Sequence, residues 1–456
     1  MAEQIMQETA GKAIPAGYQQ TEVGVIPHEW NVRKLKEISP SQSVGLVINP
    51  SSYYSSNGSI PMLVGSHVSE NKIFWSNANK ITEESNAKLP ASRLNAGDLV
   101  TVRVGAPGIT AVVPIELDKA NCASMMIIRK SDNFDSQWLC YLMNSKHGKT
   151  CIEGVQYGTA QKQFNIVDAV EFLFPVPPKQ EQTSIANVLS DSDALIDALE
   201  QLIAKKQAIK SATMQQLLTG RTRLPAFALR PDGTPKGYKP SELGDIPEDW
   251  EVLSLGSFGR TIRGVSYNPN HDLFLYDSSE SIRLFRSNNI FESKIEKSEL
   301  QYVSKSRVAD HQVIMVGDIL ICMANGSKSL VGKSAFYSID DGYKYTFGAF
   351  MGVYRASDNV NRQYVHYLMN TEWYRRYIDL VLAGSSINNL KPSHVDQISF
   401  AFPDIKEQTA IATILSDMDN ELQVLTQKLE KARALKQGMM QQLLTGKIRL
   451  PLAAGA

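Results

Sequence analysis

The chain has 456 residues, which is enough for two or three domains. Its apolar content of 43% and charged content of 21% are those of an ordinary globular protein, and no apolar run approaches the ~18 residues that a membrane span needs. The formal net charge is zero, so bulk charge gives no argument for nucleic-acid binding. Residues 1–24 lack the apolar core of a secretory signal, so we expect a cytoplasmic protein without a membrane partner.

The chain contains a long internal repeat. At an offset of 226 residues, 181-EQTSIANVLSD-191 matches 407-EQTAIATILSD-417, and 214-MQQLLTGRTRLP-225 matches 440-MQQLLTGKIRLP-451. At an offset of 220, 14-IPAGYQQTEVGVIPHEW-30 matches 234-TPKGYKPSELGDIPEDW-250, and Gly97-Asp98 matches Gly317-Asp318. The chain therefore consists of two homologous halves, each a globular region followed by a polar segment with heptad spacing.

The globular halves are predicted to be mixed α/β domains. Short apolar runs between Gly, Ser and Asn clusters predict strands at 97–104, 111–115, 317–323 and 350–355. The apolar spacing becomes helical around 136–148 and 361–382. We predict the following partition: an N-terminal extension 1–24, a first globular domain 25–178, a first long helix 179–220, a turn-rich linker 221–245, a second globular domain 246–403, a second long helix 404–446 and a tail 447–456.

The two heptad segments predict long helices of roughly 36–40 residues, or about 55–60 Å at 1.5 Å per residue. The packing positions recur every seven residues: Leu189, Ile196, Ile203, Leu217, Leu415, Leu422, Leu429 and Leu443. Leu195, Leu199, Leu202 and Ile209 are expected to widen this stripe. A helix with one apolar face needs a partner, so we predict an antiparallel pair, with Lys210 and Lys436 favoured as solvated edge residues over register-setting ones.

The ends of these helices carry stop and start signals. Asp404 followed by Glu407 is typical of a capping box at the start of a helix. Gly220 and Gly446 fit the position just beyond a helix end, where the backbone turns left-handed.

This arrangement resembles the specificity subunit, or HsdS family, of type I restriction-modification enzymes. The resemblance rests on 24-GVIPHEW-30 and 244-GDIPEDW-250, on the Gly-Asp strands, and on the paired EQT and MQQLLTG segments, and it covers nearly the whole chain. It implies two target-recognition domains that each read half of a gapped sequence in double-stranded DNA. It also implies docking of two methyltransferase subunits that use S-adenosylmethionine, with restriction and motor subunits joining through the complex.

Candidate DNA-reading residues come from loops rich in Asn, Arg, Lys, Ser and Gly, because Asn pairs with adenine, Arg or Lys with guanine, and Ser and Lys with phosphate. The first half contributes 65-GSHV-68, 103-RVGAPG-108 and 158-GTAQKQFN-165, with Ser66, His67, Arg103, Thr159, Gln161, Lys162 and Gln163. The second half contributes Arg286, Asn288, Asn289, Asn325, Ser327, Lys328, Lys333, Ser386, Asn388, Asn389 and Lys391. Solvated loop residues remain the alternative for each one.

The second domain also resembles type IA recognition domains that read the trinucleotide AAC. The matching stretches are 261-TIRGVSY-267, 325-NGSKSLVGKSA-335 and 386-SINNL-390. The resemblance implies an AAC-like half-site for this domain, and the first domain suggests none. Residues 250–404 carry 16 Lys and Arg against 16 Asp and Glu, so positive surface must be gathered locally or supplied by a partner.

Catalytic and metal sites are not expected. The run 326-GSKSLVGKS-334 has five residues between its glycines, one more than a P-loop allows. The four cysteines, Cys122, Cys140, Cys151 and Cys322, lack metal-ligand spacing and are expected to be reduced thiols. Two alternatives remain open: a coiled-coil scaffold with two protein-binding domains, and the recognition part of a fused methyltransferase-nuclease whose catalytic motifs lie on another chain.

Overall fold

The computed structural model describes residues 14–159, 161–384 and 388–451. They divide into two compact units: the first holds the described residues up to 201 and from 427 onward, and the second holds those between 202 and 426. No helix in the described ranges is long and apolar enough to cross a membrane. The candidate residue Ser386 lies outside the described part of the chain, as do residues 1–13 of the N-terminal extension.

Unit one contains a mixed set of short strands and helices before its long helix. Its strands are β1 Tyr18–Thr21, β2 Gly24–Pro27, β3 Asn31–Lys34, β4 Gln42–Val44, β5 Ile60–Leu63, β6 Val68–Ser69, β7 Lys72–Ile73, β8 Lys80–Ile81, β9 Leu99–Val102, β10 Thr110–Val112, β11 Asn121–Cys122, β12 Met125–Ile128 and β13 Leu173–Val176. Its helices are α1 Leu35–Ile38, α2 Glu83–Ala87, α3 Ser136–Asn144, α4 Lys146–Val155, α5 Ile166–Ala169 and the first part of α6 Lys179–Leu218.

Unit two repeats this plan. Its strands are β14 Tyr238–Ser241, β15 Gly244–Pro247, β16 Glu251–Ser254, β17 Gly259–Arg263, β18 Leu273–Phe274, β19 Ser281–Phe285, β20 Ile290–Phe291, β21 Lys294–Ile295, β22 Gln301–Ser304, β23 Ile319–Cys322, β24 Ser334–Phe336, β25 Tyr345–Phe347, β26 Met351–Ala356 and β27 Ser399–Phe402. Its helices are α7 Arg362–Leu368, α8 Glu372–Ala383, α9 Pro392–Asp396 and the first part of α10 Ile405–Leu443.

Each unit is built on a four-stranded antiparallel sheet. The strand order is β10-β9-β12-β4 in unit one and β24-β23-β26-β17 in unit two, so the predicted runs at 97–104 and 317–323 occupy equivalent inner positions. Strands β9, β12 and β23 are buried along their whole length, which explains why their sequences are apolar except for Thr101 in β9. A second sheet in each unit contains one parallel pair, β11 with β5 and β19 with β25.

The aspartate of each repeated Gly-Asp pair is a structural residue. Asp98 accepts from the Arg129 guanidinium at 2.7 Å, and its equivalent Asp318 accepts from Arg355 at 2.6 Å. Both carboxylates are buried in the described structure, and the paired arginine of the neighbouring strand neutralises each one. The Gly-Asp motif therefore serves the fold.

The segment predicted to be a linker is ordered into a hairpin. Strands β14 and β15 pair with Tyr238 opposite Pro247, in the same register as β1 and β2, where Tyr18 lies opposite Pro27. Turn residues such as Gly244 had suggested only a connection. The repeat at residues 14–30 was the available signal that both segments form the same element.

Two pairs of helix segments run antiparallel. In unit two the C-terminal part of α6 pairs with the N-terminal part of α10, because Lys206 contacts Glu421 at 2.7 Å while Lys210 contacts Asp419 at 2.5 Å. In unit one the remaining parts pair in the same sense. There the contacts join Asp193 to Lys436 and Glu200 to Arg433.

Most of the predicted packing residues are buried. Leu189 and Leu443 join the core of unit one, and Leu217 and Leu415 join that of unit two. Ile196 and Leu429 are also buried, whereas Ile203 and Leu422 are half-buried. The repeated MQQLLTG leucines therefore pack into the globular cores as well as closing the helices.

The stripe was predicted too wide. Of the four residues expected to widen it, Leu199 is half-buried. The other three, Leu195, Leu202 and Ile209, are 55%, 38% and 43% exposed. Each lies one residue before a stripe position, and one residue turns an α-helix by about 100°, which carries these side chains away from the partner helix. They form an exposed apolar row along α6.

Lys210 and Lys436 are not solvated edge residues. Each is half-buried and bonds an aspartate of the partner helix segment, Asp419 for Lys210 and Asp193 for Lys436. The same aspartates accept from tyrosine hydroxyls, Tyr367 at 2.9 Å and Tyr141 at 2.7 Å. A specific polar contact of this kind fixes the register of the helix pair, which was the less favoured prediction.

The capping residues and glycine stops predicted at the helix ends are found in the structure, except for one half of the capping box. Asp404 Oδ1 accepts from the backbone N–H groups of Lys406 and Glu407, so it caps α10. Gly220 and Gly446 each have φ of +69°, the left-handed stop that a side chain would disfavour. The reciprocal half of the capping box is absent, because the Glu407 side chain is bonded elsewhere.

A buried glutamate anchors each long helix to its own unit. Glu407 accepts from the Trp250 indole at 3.2 Å and from two nitrogens of the Arg223 guanidinium at 2.8 Å. In unit one the equivalent Glu181 accepts from the Trp30 indole at 3.0 Å and from the Arg449 guanidinium. The segment after each glycine stop is therefore an integral part of the fold.

Candidate nucleic-acid interface

Unit two carries a groove of about 430 Å³ where three of the predicted loops meet. The groove lies at the C-terminal ends of β17 and β23 and beside the turn that precedes β26. Its lining consists of Arg263, Ser287, Ala324, Asn325, Gly326, Phe350, Asn388 and Asn389. The structure thus brings together the stretches 286–290, 324–334 and 388–391, which are far apart in sequence.

Asn389 is held in a fixed orientation by Arg263. The Arg263 guanidinium donates to Asn389 Oδ1 at 2.9 Å and to the Leu390 carbonyl at 2.7 Å. Asn389 also forms a backbone bridge with Ala324. The arginine occupies the amide oxygen, and the Asn389 NH₂ group donates no hydrogen bond to another described residue, so this group is the end that can meet an incoming acceptor.

Asn325 and Asn388 tie the other loops together. Asn325 Nδ2 donates to Ser287 Oγ at 3.3 Å, and Asn325 Oδ1 accepts from the Ser327 backbone N–H at 2.9 Å. Asn388 Nδ2 donates to the Gly326 carbonyl at 3.1 Å. Each amide retains further hydrogen-bonding capacity on its open side, so the groove presents preorganised donors and acceptors.

Other predicted residues of unit two lie on the exposed rim of these loops. Asn288, Ser327, Lys328 and Lys391 are exposed. Arg286 is half-buried and donates from one terminal nitrogen to the Glu299 carbonyl at 3.1 Å. These positions are suited to contacts with a phosphate backbone passing over the groove.

Three predicted residues are structural and point inward. Asn289 is fully buried, accepts from the Arg286 N–H and donates to the carbonyls of Glu296 and Ser298. The buried His67 accepts from the Val64 N–H at 3.0 Å, and burial lowers its pKa, so the ring stays neutral. Both side chains complete a turn of 3₁₀ helix at equivalent places of the two units.

Lys333 is the third of these inward-pointing residues. Its Nζ donates to the Ile290 carbonyl at 2.8 Å. The lysine of the P-loop-like run 326–334 therefore holds two strands of unit two together. Sequence composition could not separate this role from a loop cation, because both use a lysine flanked by Gly and Ser.

The equivalent loops of unit one also converge. The Gly105 N–H donates to the Lys162 carbonyl at 3.0 Å, and Gln163 bridges both Val104 and Tyr157 through its backbone. Arg103 Nε donates to the Phe164 carbonyl at 3.3 Å, which uses part of its guanidinium for the fold. Among the predicted DNA-reading residues of these loops, Ser66, Thr159, Gln161 and Lys162 are exposed.

Unit two contains cations both with and without a carboxylate partner. Seven cations away from the groove are ion-paired inside the unit, namely Arg283, Lys297, Arg307, Arg355, Arg362, Arg375 and Arg376. Within the part of the chain that the structure describes, four cations around the groove have no carboxylate partner within ion-pairing distance, namely Arg263, Arg286, Lys328 and Lys391. The same holds for cations elsewhere in the unit, among them Arg260, Lys294, Lys305 and Lys344. The groove therefore has unneutralised cations to offer a polyanion, but such cations are not confined to it.

Two groove residues were missed by the sequence prediction. Arg263 lies within the stretch 261-TIRGVSY-267 that carried the resemblance, but nothing in its local sequence marks it as a ligand of Asn389. Phe350 begins the run 350–355, which was predicted to be a strand, so no recognition role was predicted for it, and it is 70% exposed.

Reactive thiols and metal ligands do not contribute to this surface. All four cysteines are free, and three of them are buried, so that burial raises the pKa of Cys122 to about 12. Among residues 14–159, 161–384 and 388–451, no cluster of His, Cys, Asp or Glu is arranged to hold a metal ion. The chemistry available at the groove is hydrogen bonding, charge and apolar contact.

Comparison with known proteins identifies matches over nearly the whole chain. A family model described as the type I restriction modification DNA specificity domain matches residues 27–210 and, a second time, residues 247–434. The type I restriction enzyme StySPI specificity subunit of Salmonella potsdam is 32% identical over 213 residues, 46% of this chain and 45% of that protein. The aligned region is thus less than half of that protein's length.

Two further matches extend over most of the chain. The putative type I restriction enzyme MjaX specificity subunit of Methanocaldococcus jannaschii is 23% identical over 448 residues, 95% of this chain and 97% of that protein. The crystal structure of the S subunit of a type I restriction-modification system from M. genitalium superimposes with a TM-score of 0.57 at 13% identity, over 91% of this chain and 96% of that one. The structural match establishes a shared fold.

Proposed function

Because the chain belongs to the type I restriction modification DNA specificity domain family, we propose that it selects the DNA target of a type I complex. Each unit reads one half-site in double-stranded DNA, and the two half-sites are separated by bases that neither unit reads. Methyl transfer and cleavage are carried out by partner chains, and this chain supplies recognition alone.

One observation carries the proposal: the groove of unit two gathers amide groups and unpaired cations on loops that converge from three parts of the sequence. Amide side chains such as Asn389 match the donor and acceptor pattern of base edges in the major groove. Cations such as Lys328 supply sequence-independent attraction to phosphates. Unit one presents equivalent loops with different side chains, which supports two different half-sites.

The half-site of unit two is proposed to be AAC-like. This expectation comes from the stretches shared with recognition domains that read AAC. The Asn389 NH₂ group, directed by Arg263, suits the N7 acceptor of a purine such as adenine. The exposed Ser66, Gln161 and Lys162 of unit one support recognition of a different half-site, whose bases they do not specify.

The partners are proposed to be two methyltransferase subunits that use S-adenosylmethionine. The repeated helices α6 and α10 support two equivalent docking surfaces, because their EQT and MQQLLTG segments occur twice. The exposed apolar row formed by Leu195, Leu202 and Ile209 is specific to α6 and does not contribute to that argument, since α10 has Glu421, Lys428 and Leu435 at the matching positions. Restriction and motor subunits would join through this complex.

A genome-wide map of N6-methyladenine tests the proposal. Host cells with the intact gene are compared with cells that lack it, while the methyltransferase gene is kept in both. We expect a gapped two-part motif to be methylated only when this chain is present. If no motif depends on the chain although it co-purifies with a methyltransferase, the DNA-reading role is wrong and a scaffold role takes its place.

A second experiment tests whether the long helices set the gap. Residues 199–205 and 425–431 are removed together, so that each helix loses one heptad and keeps its packing stripe. Seven residues correspond to about 10 Å of helix, or about three base pairs of DNA. We expect both half-sites to persist with a gap changed by about that amount, and an unchanged gap would contradict the idea that the helices measure it.

A further inference from the structure

An exposed aromatic ring stands in the polar groove of unit two. Phe350 is 70% exposed and lines the groove together with Arg263 and three asparagines. Leaving a phenylalanine ring in water forfeits the free energy that burial would provide. An apolar side chain in this position therefore suggests a ligand that covers it.

The backbone of Phe350 is held rigidly. Its carbonyl accepts from the N–H groups of both Met323 and Ala324, at 2.8 and 3.0 Å. It lies in a tight turn closed by the Met351 N–H donating to the Gly348 carbonyl at 2.8 Å. Three backbone hydrogen bonds thus fix the point from which the ring projects, so binding would require little ordering of the loop.

The turn that presents Phe350 is specific to unit two. In unit one a single residue, Ser124, separates the bridge residue Ala123 from strand β12. In unit two the two residues Ala349 and Phe350 separate the equivalent Gly348 from β26. One inserted residue therefore lifts an aromatic ring into the groove of unit two, where unit one has a small polar side chain.

We propose that Phe350 is a specificity-determining residue that packs against the 5-methyl group of a thymine in the half-site of unit two. The inference rests on the proposed function. Among the base edges of the major groove, the thymine methyl is the apolar group, and the other groove residues already supply polar recognition. Phe350 thereby selects an A·T pair, and unit one makes no such contact through Ser124.

Deoxyuridine substitution tests this contact directly. The chain is purified with its methyltransferase subunit, and binding is measured to a duplex that carries the motif found by methylation mapping. Each thymine of the half-site of unit two is replaced in turn by deoxyuridine, which lacks only the methyl group. We expect one position to weaken binding roughly fourfold, the equivalent of one buried methyl or methylene group.

Substitutions then assign the effect to the ring. Phe350→Ala is expected to weaken binding to the thymine duplex and to bind thymine and deoxyuridine duplexes equally. Phe350→Leu retains an apolar side chain and is expected to keep part of the discrimination. Phe291→Ala serves as the control, because Phe291 is also exposed in unit two but does not line the groove, and it is expected to behave as wild type.

Several results would overturn the inference while leaving the proposed function intact. The first is wild-type binding that no deoxyuridine substitution weakens. The second is a Phe350→Ala protein that still binds the thymine duplex more tightly than the deoxyuridine duplex. The third is a half-site of unit two that contains no A·T pair. Equal weakening of all duplexes by Phe350→Ala, with discrimination preserved, would identify the ring as a wedge between bases. Absence of any dependent motif would refute the proposed function itself.

Discussion

Lys210 Nζ lies 2.5 Å from Asp419 Oδ1, and this ion pair links helix α6 to helix α10 within unit two. Asp419 also accepts from the Tyr367 hydroxyl at 2.9 Å, and the lysine lies 5.8 Å from the centre of that tyrosine ring. The same arrangement recurs in unit one with Lys436, Asp193 and Tyr141. A lysine at a heptad position is thus paired rather than solvated.

We expect Lys210→Met and Asp419→Asn to be coupled. A double-mutant cycle on the free energy of unfolding should give an interaction of about 1 kcal/mol, because the pair is half-buried and shares the tyrosine. Lys206 and Glu421, a more exposed pair on the same helices, provide the comparison and should couple by less than about 0.5 kcal/mol. Equal coupling in the two pairs would argue against a register role for Lys210.

The Arg449 side chain is expected to be essential to unit one. Glu181 is 1% exposed, and Arg449→Met would leave its carboxylate buried with only the Trp30 indole as a charge-stabilising donor. Removing one partner of such a pair costs about 3 kcal/mol. Hydrogen exchange of the amides in unit one would measure the loss, with those of unit two as an internal reference.

Glu29 gives a matched control for Arg449. It also bonds the Arg449 guanidinium, but its side chain is 69% exposed. Glu29→Gln should therefore change stability by less than about 1 kcal/mol. A similar loss from Glu29→Gln and Arg449→Met would show that burial of Glu181 is not the source of the effect.

His366 is expected to make stability depend on pH. Burial lowers its pKa to about 4, so the folded state holds the ring neutral while the unfolded chain takes up a proton near pH 6.5. Unfolding is therefore favoured progressively as the pH falls from about 6.5 to about 4. At pH 5 the expected loss is on the order of 2 kcal/mol relative to pH 8.

Urea unfolding at pH 8 and pH 5 measures this effect. His366→Met removes the titrating group and should reduce the difference between the two pH values by on the order of 2 kcal/mol. The exposed His28→Met provides a control that should leave the difference unchanged. If the free energy of unfolding of His366→Met still depends on pH as strongly as that of the wild type, other groups cause the dependence.

Asn288 and Asn289 are neighbours with opposite expected roles. Asn289→Ala removes the three hydrogen bonds that the buried Asn289 side chain makes to backbone groups and should destabilise unit two by about 2 kcal/mol. Asn288 is exposed, so Asn288→Ala should change stability by less than about 0.5 kcal/mol. Chemical denaturation of both variants checks this, and reversed magnitudes would contradict the assignment.

Lys328 and Lys391 are expected to act on phosphates. Each lysine substituted by Ala should weaken DNA binding to all sequences alike and lower the slope of log affinity against log salt by about 1. The ion-paired Lys297 offers a control outside the groove loops, and Lys297→Ala should leave the slope unchanged. If the substitutions change the preferred half-site sequence instead, the lysines contact bases rather than phosphates.

The sequence by itself determined the repeat, the two long helices and their stops. These follow from local information, because heptad spacing, Gly220 and Gly446, and the capping Asp404 act within a few residues of chain. The repeat also identified the loops that converge, since matched positions in two halves carry divergent Asn, Lys and Ser residues. Side-chain periodicity and backbone conformation are local quantities, and they were readable without a structure.

Only the tertiary structure decided what each polar residue does. Asn288 and Asn289 are identical in type and adjacent, yet one is exposed and the other completes a buried turn. Glu407 does not make the predicted reciprocal capping bond, because its carboxylate is hydrogen-bonded to Arg223 and Trp250, which are distant in sequence. Hydrogen-bond partners and burial depend on which strands lie next to each other in the fold. The positions of Arg263 and Phe350 in the groove could therefore not be predicted from the sequence.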